Sequence, residues 1–182
     1  VACGLDSQIL GETQILGQVK SAWEIASQSG VTCELSDALF LDAVSTGKEA
    51  RLLTEISQGN VSIGSVAIKM LEEKFGGIQD KSILVIGTGK IGSLVCNYLK
   101  EKNVSAIFVS NRTYAKACEL ALRCGGKAVN FNQFKEELKT ADIIISSTSS
   151  PHIILSYNTL LQVARSRNKP LVIMDLALPR DV

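Results

Sequence analysis

Only one histidine, His152, occurs among the 182 residues, too few for a histidine-based metal site. The five cysteines, Cys3, Cys33, Cys96, Cys118 and Cys124, are odd in number, and no two have the C-x-x-C spacing of a zinc or redox site. No metal site is therefore expected, and the thiols read as reduced and mostly buried in a cytoplasmic protein. No apolar run approaches the roughly 20 residues of a membrane span, so no membrane association is expected. The start, Val1-Ala2-Cys3-Gly4-Leu5-Asp6, lacks the basic and apolar regions of a signal peptide and has no initiator methionine. It reads as the start of a fragment or of a processed product. A strong charge bias is missing too. Residues 1–53 hold three basic and seven acidic residues, net −4, and the remainder sixteen and eleven, net +5. Neither part is basic enough to indicate nucleic-acid binding. A mildly positive second part suits a phosphate-bearing cofactor.

What is present is an ordinary globular composition, 46% apolar and 20% charged, which excludes a disordered or fibrous chain. Ile15, Leu16, Val19, Trp23 and Ala26 fall at helical spacing and predict a helix from about Glu12 to Ser29, stopped by Gly30. A loop from Gly4 to Gly11 precedes it, with Asp6 or Ser7 as local caps. A second helix is predicted from about Leu35 to Leu53, with Leu35, Leu39, Phe40, Ala43 and Val44 as its apolar face and Ser36 or Asp37 as its cap. The polar break Thr54–Asn60 marks a domain boundary, placed between residues 55 and 56. A third helix is predicted over about Val61 to Lys74, ended by Gly76-Gly77.

Beyond it the texture changes. Ser82–Ile86, Ala106–Val109, Ile143–Ile145 and Leu171–Met174 are short, continuously apolar runs, and Lys127–Val129 is a weaker one. Helical stretches lie between them, over about 90–101, 113–123, 132–139 and 157–166. Strands without polar alternation are buried on both faces, which implies a parallel sheet between helices. The alternation predicts an α/β fold, a doubly wound Rossmann-like parallel sheet over residues 56–182.

Gly87-Thr88-Gly89-Lys90-Ile91-Gly92 is a G-x-G-x-x-G that follows a predicted strand and opens a predicted helix, the context a dinucleotide site requires. Gly87 permits the tight turn, Gly89 lets backbone approach a pyrophosphate, and Gly92 lets helix and strand pack closely. The helix N-terminus offers free N–H groups to that pyrophosphate, so all six residues are read as its cradle. The competing reading is a glycine-rich turn without a ligand.

The end of the second strand discriminates between dinucleotides. An acidic residue there would hold the ribose 2′-hydroxyl of NAD. This chain has Ser110-Asn111-Arg112-Thr113 instead. No carboxylate repels a phosphate, Arg112 can pair with one, and Ser110, Asn111 and Thr113 add short donors. NADP, bound as NADPH, is the better fit; the alternative is that Arg112 only solvates the strand end. Ser146–Ser149 follow the fourth strand, also at its carboxyl end. Ser147 and Thr148 there either contact the cofactor or form a polar loop.

These blocks, together with Gly4-Leu5-Asp6-Ser7, Leu10–Lys20, Ala141–Thr148 and Asp175–Asp181, resemble the glutamyl-tRNA reductase family over nearly the whole chain. The first block is the specific one; the later ones are shared in part with shikimate dehydrogenase-like domains. The resemblance implies NADPH-dependent reduction of glutamyl-tRNA to glutamate-1-semialdehyde in tetrapyrrole synthesis, through a cysteine thioester. It makes residues 1–55 the helical end of a truncated N-terminal catalytic domain, with Ser7, Glu12, Thr13, Gln14 and Gln18 lining the glutamyl pocket. Read without it, Glu12 is a helix-start charge and Gln18 a solvated residue.

The family's nucleophilic cysteine lies in a Thr-Cys-Asn-Arg setting and its important histidine farther along, both expected upstream of Val1. Thr32-Cys33-Glu34 lacks the Asn-Arg, Cys3 is in a different block, and His152 reads as a loop residue. No catalytic residue is thus expected here, and the fragment is expected to bind NADPH without completing the reaction. The resemblance also implies a homodimer through a missing C-terminal domain, and glutamate-1-semialdehyde aminomutase as a channelling partner. The alternatives are a shikimate dehydrogenase-like oxidoreductase and a non-catalytic NADP-binding module.

Overall fold

The computed structural model describes residues 1–57 and 62–182, which fall into two compact units, Val1–Ile63 and Gly64–Val182. The polar break's Gln58, Gly59 and Asn60, and Val61, where the third helix was expected to begin, lie outside the described residues.

In the first unit a loop leads into α1 (Gln14–Gln28), which pairs with α2 (Glu34–Leu53). Gly30, at φ +67°, ends the first helical run as the sequence suggests. Gly47 is buried where the helices meet: a Cβ there would stand 2.8 Å from Leu16 Cδ1 and 3.0 Å from the Ala2 carbonyl. Of the two residues offered as cap, only one serves, and the expected apolar face is trimmed. Asp37 does not cap α2; its carboxylate accepts from Trp23 Nε1 at 2.8 Å and from the Thr32 hydroxyl at 3.3 Å, tying α2 to α1. The N-cap is Cys33, and Ser36 three residues on closes a capping box, its hydroxyl accepting from the Cys33 N–H and donating to the Cys33 carbonyl, both at 2.8 Å. The apolar face is narrower than expected: Phe40, Ala43 and Val44 turn inward together with Gly47, whereas Leu35 and Leu39 are exposed. One partner helix covers one stripe, and Leu35 and Leu39 fall outside it.

In the second unit the elements run α3 (Ile63–Phe75), β1 (Ser82–Ile86), α4 (Lys90–Glu101), β2 (Ala106–Asn111), α5 (Tyr114–Cys124), β3 (Lys127–Asn130), α6 (Phe134–Thr140), β4 (Ile143–Ser146), α7 (Tyr157–Arg165) and β5 (Val172–Asp175). All strand pairs are parallel, in the order β3-β2-β1-β4-β5. The register sets Val85 between Val109 and Ile145.

Alternate residues feed two cores. Ile83, Val85, Val109, Ile143 and Ile145 pack against α3, α4 and α5 through Leu71, Leu99 and Leu120. Leu84, Ile86 and Ile144 pack against α6 and α7 through Phe134, Leu138 and Val163. Burial on both faces is why the central strands read as unbroken apolar runs. This is the expected doubly wound, Rossmann-like fold. The strand order reverses between β1 and β4, and the crevice at their carboxyl ends is where such sheets hold ligands. Among the described residues no helix is long and apolar enough to cross a membrane.

Candidate functional site

The chain leaves β1 at Gly87, whose φ of +103° a side chain would strain. A Cβ there would also come within 2.8 Å of the Ser147 carbonyl. At Gly92 an added Cβ would collide with the Gly87 carbonyl and stand 3.0 Å from Ser147 Oγ. These two glycines let α4 and the turn after β4 close on the end of β1. Gly89 differs, because among the described residues nothing lies within 4 Å of the position its Cβ would take. The space beside it is open at the start of α4. The first helical bond runs from the Ser93 N–H to the Gly89 carbonyl at 2.9 Å. The N–H groups ahead of it, from Gly89 to Gly92, are those a helix start leaves without intrahelical acceptors. Thr88 is half-buried, Lys90 exposed and Ile91 half-buried against the core. An open side, a positive helix end and a side-chain-free approach fit a pyrophosphate.

At the end of β2, Ser110 is wholly buried, its carbonyl accepts the Gly87 N–H at 2.9 Å, and its hydroxyl has no partner among the described residues. Asn111 Nδ2 donates to the Thr113 carbonyl at 3.3 Å. Arg112 and Thr113 are exposed, and Arg112 Nη2 donates to Ser150 Oγ at 3.3 Å. The hydroxyls after β4 face inward. Ser147 Oγ lies 3.4 Å from the Ile86 carbonyl. Thr148 Oγ1 donates to Asp181 Oδ1 at 2.6 Å and accepts the Ser150 N–H at 3.1 Å.

Asp181 is a site element that sequence reading leaves without a role. Its carboxylate is fully buried and accepts the Ser146 hydroxyl at 2.6 Å and the Thr148 N–H at 3.1 Å. Its own N–H donates to Asp175 Oδ2 at 2.9 Å, and its carbonyl accepts the N–H groups of Ile154 and Leu155. The chain after β5 is thus stitched over the carboxyl end of β4. The visible signal was an isolated Asp closing an apolar strand and another six residues later; their pairing was not visible.

In the first unit, the loop carrying the expected glutamyl-pocket residues is held by Arg51. Its guanidinium donates to the carbonyls of Ala2 (3.2 Å), Gly47 (2.8 Å) and Glu12 (2.8 Å). Ser7 Oγ sits between the carbonyls of Gly4 (2.8 Å) and Ile9 (2.5 Å). Glu12 and Thr13 lie in the loop just before α1, not within it. Gln14 and Gln18, four residues apart on α1, share one helix face. Cys33 is exposed, and its thiol is held below the usual value by the backbone N–H groups of Ser36 and Leu35 at the start of α2.

Comparison with known proteins agrees in both units. Residues 1–54 match the family model described as Glutamyl-tRNAGlu reductase, N-terminal domain. Residues 69–182 match that described as Shikimate / quinate 5-dehydrogenase. Glutamyl-tRNA reductase of Methanococcus maripaludis is 46% identical over 182 residues, covering 100% of this chain and 46% of the relative. The solved glutamyl-tRNA reductase of Methanopyrus kandleri is 41% identical with a TM-score of 0.63, covering 100% of this chain and 46% of that one. The nucleotide-binding domain of the Thermoplasma volcanium enzyme is 25% identical with a TM-score of 0.54, covering 68% of this chain and 80% of that one. The chain thus spans a little under half the length of the full-length relatives it matches.

Proposed function

The chain belongs to the glutamyl-tRNA reductase family, with a shikimate/quinate dehydrogenase type of domain at residues 69–182, and from that premise we propose that it binds NADPH for the reduction of glutamyl-tRNA to glutamate-1-semialdehyde. NADPH, when bound, supplies the hydride that reduces an activated glutamyl carbonyl. The residues Gly87–Gly92 cradle the pyrophosphate on the N-terminus of α4, and Arg112 pairs with the 2′-phosphate. In the first unit Ser7, Glu12, Thr13, Gln14 and Gln18 hold the glutamyl group, on a loop positioned by Arg51. Thiol attack belongs to a cysteine other than Cys3 and Cys33, neither of which has the family's Thr-Cys-Asn-Arg surroundings. These 182 residues bind cofactor without completing the reaction.

One observation carries the reading: a glycine loop with open space beside Gly89, at the carboxyl end of β1 where the strand order reverses, with an exposed arginine and no carboxylate in Ser110–Thr113. A charge-assisted hydrogen bond contributes about 1.5–3 kcal/mol, or roughly ten- to a hundredfold in affinity. Glutamyl-tRNA as substrate, a dimer of the whole protein and an aminomutase that takes up the aldehyde are proposed with it. The five free cysteines support a cytoplasmic setting.

The test is calorimetric titration with NADPH and NADH at one ionic strength, for this chain and for Arg112→Ala. NADPH binding at least tenfold tighter, with the gap erased by the substitution, supports the reading. A cooperatively folded chain that binds neither nucleotide overturns it.

A further inference from the structure

We propose that Ser150 is a positioning residue for nucleotide choice, holding Arg112 in the orientation that receives the 2′-phosphate. The inference rests on the NADPH reading above and adds a residue from the opposite side of the crevice. Arg112 follows β2, Ser150 follows β4, and β1 runs between those strands. The bond from Arg112 Nη2 to Ser150 Oγ, 3.3 Å, therefore links the segments that follow the two strands flanking β1.

Ser150 is a fixed point. It is buried to 8% exposure, and its Oγ also accepts the His152 N–H at 3.2 Å. A hydroxyl accepts two hydrogen bonds, so both of those positions are filled and only its own proton remains to offer. Its backbone is tied down as well. The Ser150 N–H donates to Thr148 Oγ1, and Thr148 is held through both hydroxyl and N–H by the buried carboxylate of Asp181. Arg112, by contrast, is exposed, and an exposed arginine samples many rotamers. Holding it in one rotamer beforehand removes part of the ordering cost that binding would otherwise meet. For one long side chain that corresponds to roughly two- to tenfold in affinity. The gain applies only to a ligand that uses Arg112, so it favours the nucleotide carrying the 2′-phosphate.

The experiment measures NADPH and NADH affinities by calorimetry for the 182-residue chain and for Ser150→Ala, Ser150→Thr, Arg112→Ala and the double Ser150→Ala/Arg112→Ala variant, each checked for an unchanged melting temperature. NADPH affinity of Ser150→Ala is expected to fall about fivefold, the loss of one hydrogen bond's orienting effect, while NADH affinity stays within about twofold. Ser150→Thr, which keeps the hydroxyl, restores NADPH binding. In the Arg112→Ala background, Ser150→Ala has no further effect. An equal loss for both nucleotides, or no loss for either, overturns the proposal and leaves the NADPH reading standing. If the unaltered chain does not prefer NADPH, the NADPH reading falls and the role of Ser150 falls with it.

Discussion

The hydroxyl of Thr148 donates to the carboxylate of Asp181 at 2.6 Å, joining the turn after β4 to the segment after β5. Ser146 Oγ and the Thr148 N–H complete three bonds to the same wholly buried group. Removing a carboxylate that satisfies buried donors leaves those donors unpaired. Asp181→Ala is therefore expected to destabilise the second unit by about 3 kcal/mol. Asp181→Asn should cost less, since its carbonyl still accepts while its NH2 faces donors. Urea unfolding checks both, with the midpoint falling and the slope unchanged. An Ala variant as stable as the parent would show that the three bonds contribute nothing net.

Two glycines five and two residues beyond Gly87 should respond oppositely to a methyl group. Gly92→Ala drives Cβ into the Gly87 carbonyl, where backbone rather than a flexible side chain must yield. Overpacking of that kind costs about 1–3 kcal/mol, read as a lower melting temperature. Gly89→Ala meets nothing within 4 Å, so its melting temperature should barely change. Its methyl nevertheless stands where a pyrophosphate would approach, and NADPH affinity should drop more than about tenfold. Unaltered NADPH binding by a folded Gly89→Ala variant would place the pyrophosphate elsewhere.

Cys33 should be the first thiol to react. Hydrogen bonds from the backbone N–H groups of Ser36 and Leu35, at the start of α2, favour its thiolate and lower its pKa. A lowered pKa means that more thiolate is present at a given pH below it, so alkylation by iodoacetamide starts at lower pH than for an ordinary cysteine. Cys96 and Cys124, both buried, should stay unmodified until the chain unfolds. Peptide mapping after timed labelling gives the order, and early modification of Cys96 would contradict the described packing.

Much of the second unit is readable along the chain because its signals are local. Ile83–Ile86 and Ile143–Ile145 are apolar at every position, which only a doubly covered sheet accommodates. Gly87, Gly89 and Gly92 announce a turn, an open approach and a tight helix contact by spacing alone, and each behaves that way in the fold. Leu35 and Leu39 show the opposite case. Helical periodicity puts them on an apolar face, yet both are exposed, because how wide a stripe of α2 is covered depends on its packing against α1. Arg51 reads as an ordinary helix-end cation until its three carbonyl partners are seen, two of them 39 and 49 residues away.

The order of amino acids by itself determined the alternation of strand and helix, the glycine loop and the absence of a carboxylate at the end of β2. Each depends on residues close together in the chain and on the intrinsic geometry of glycine and apolar runs. Only the tertiary structure decided what stands opposite what. Parallel strand order brings Ser150 within reach of Arg112 across 38 residues and sets Asp181 beneath Thr148 across 33. Such hydrogen bonds are directional and short, so they exist only after the sheet has fixed the ends of β1, β2, β4 and β5 side by side.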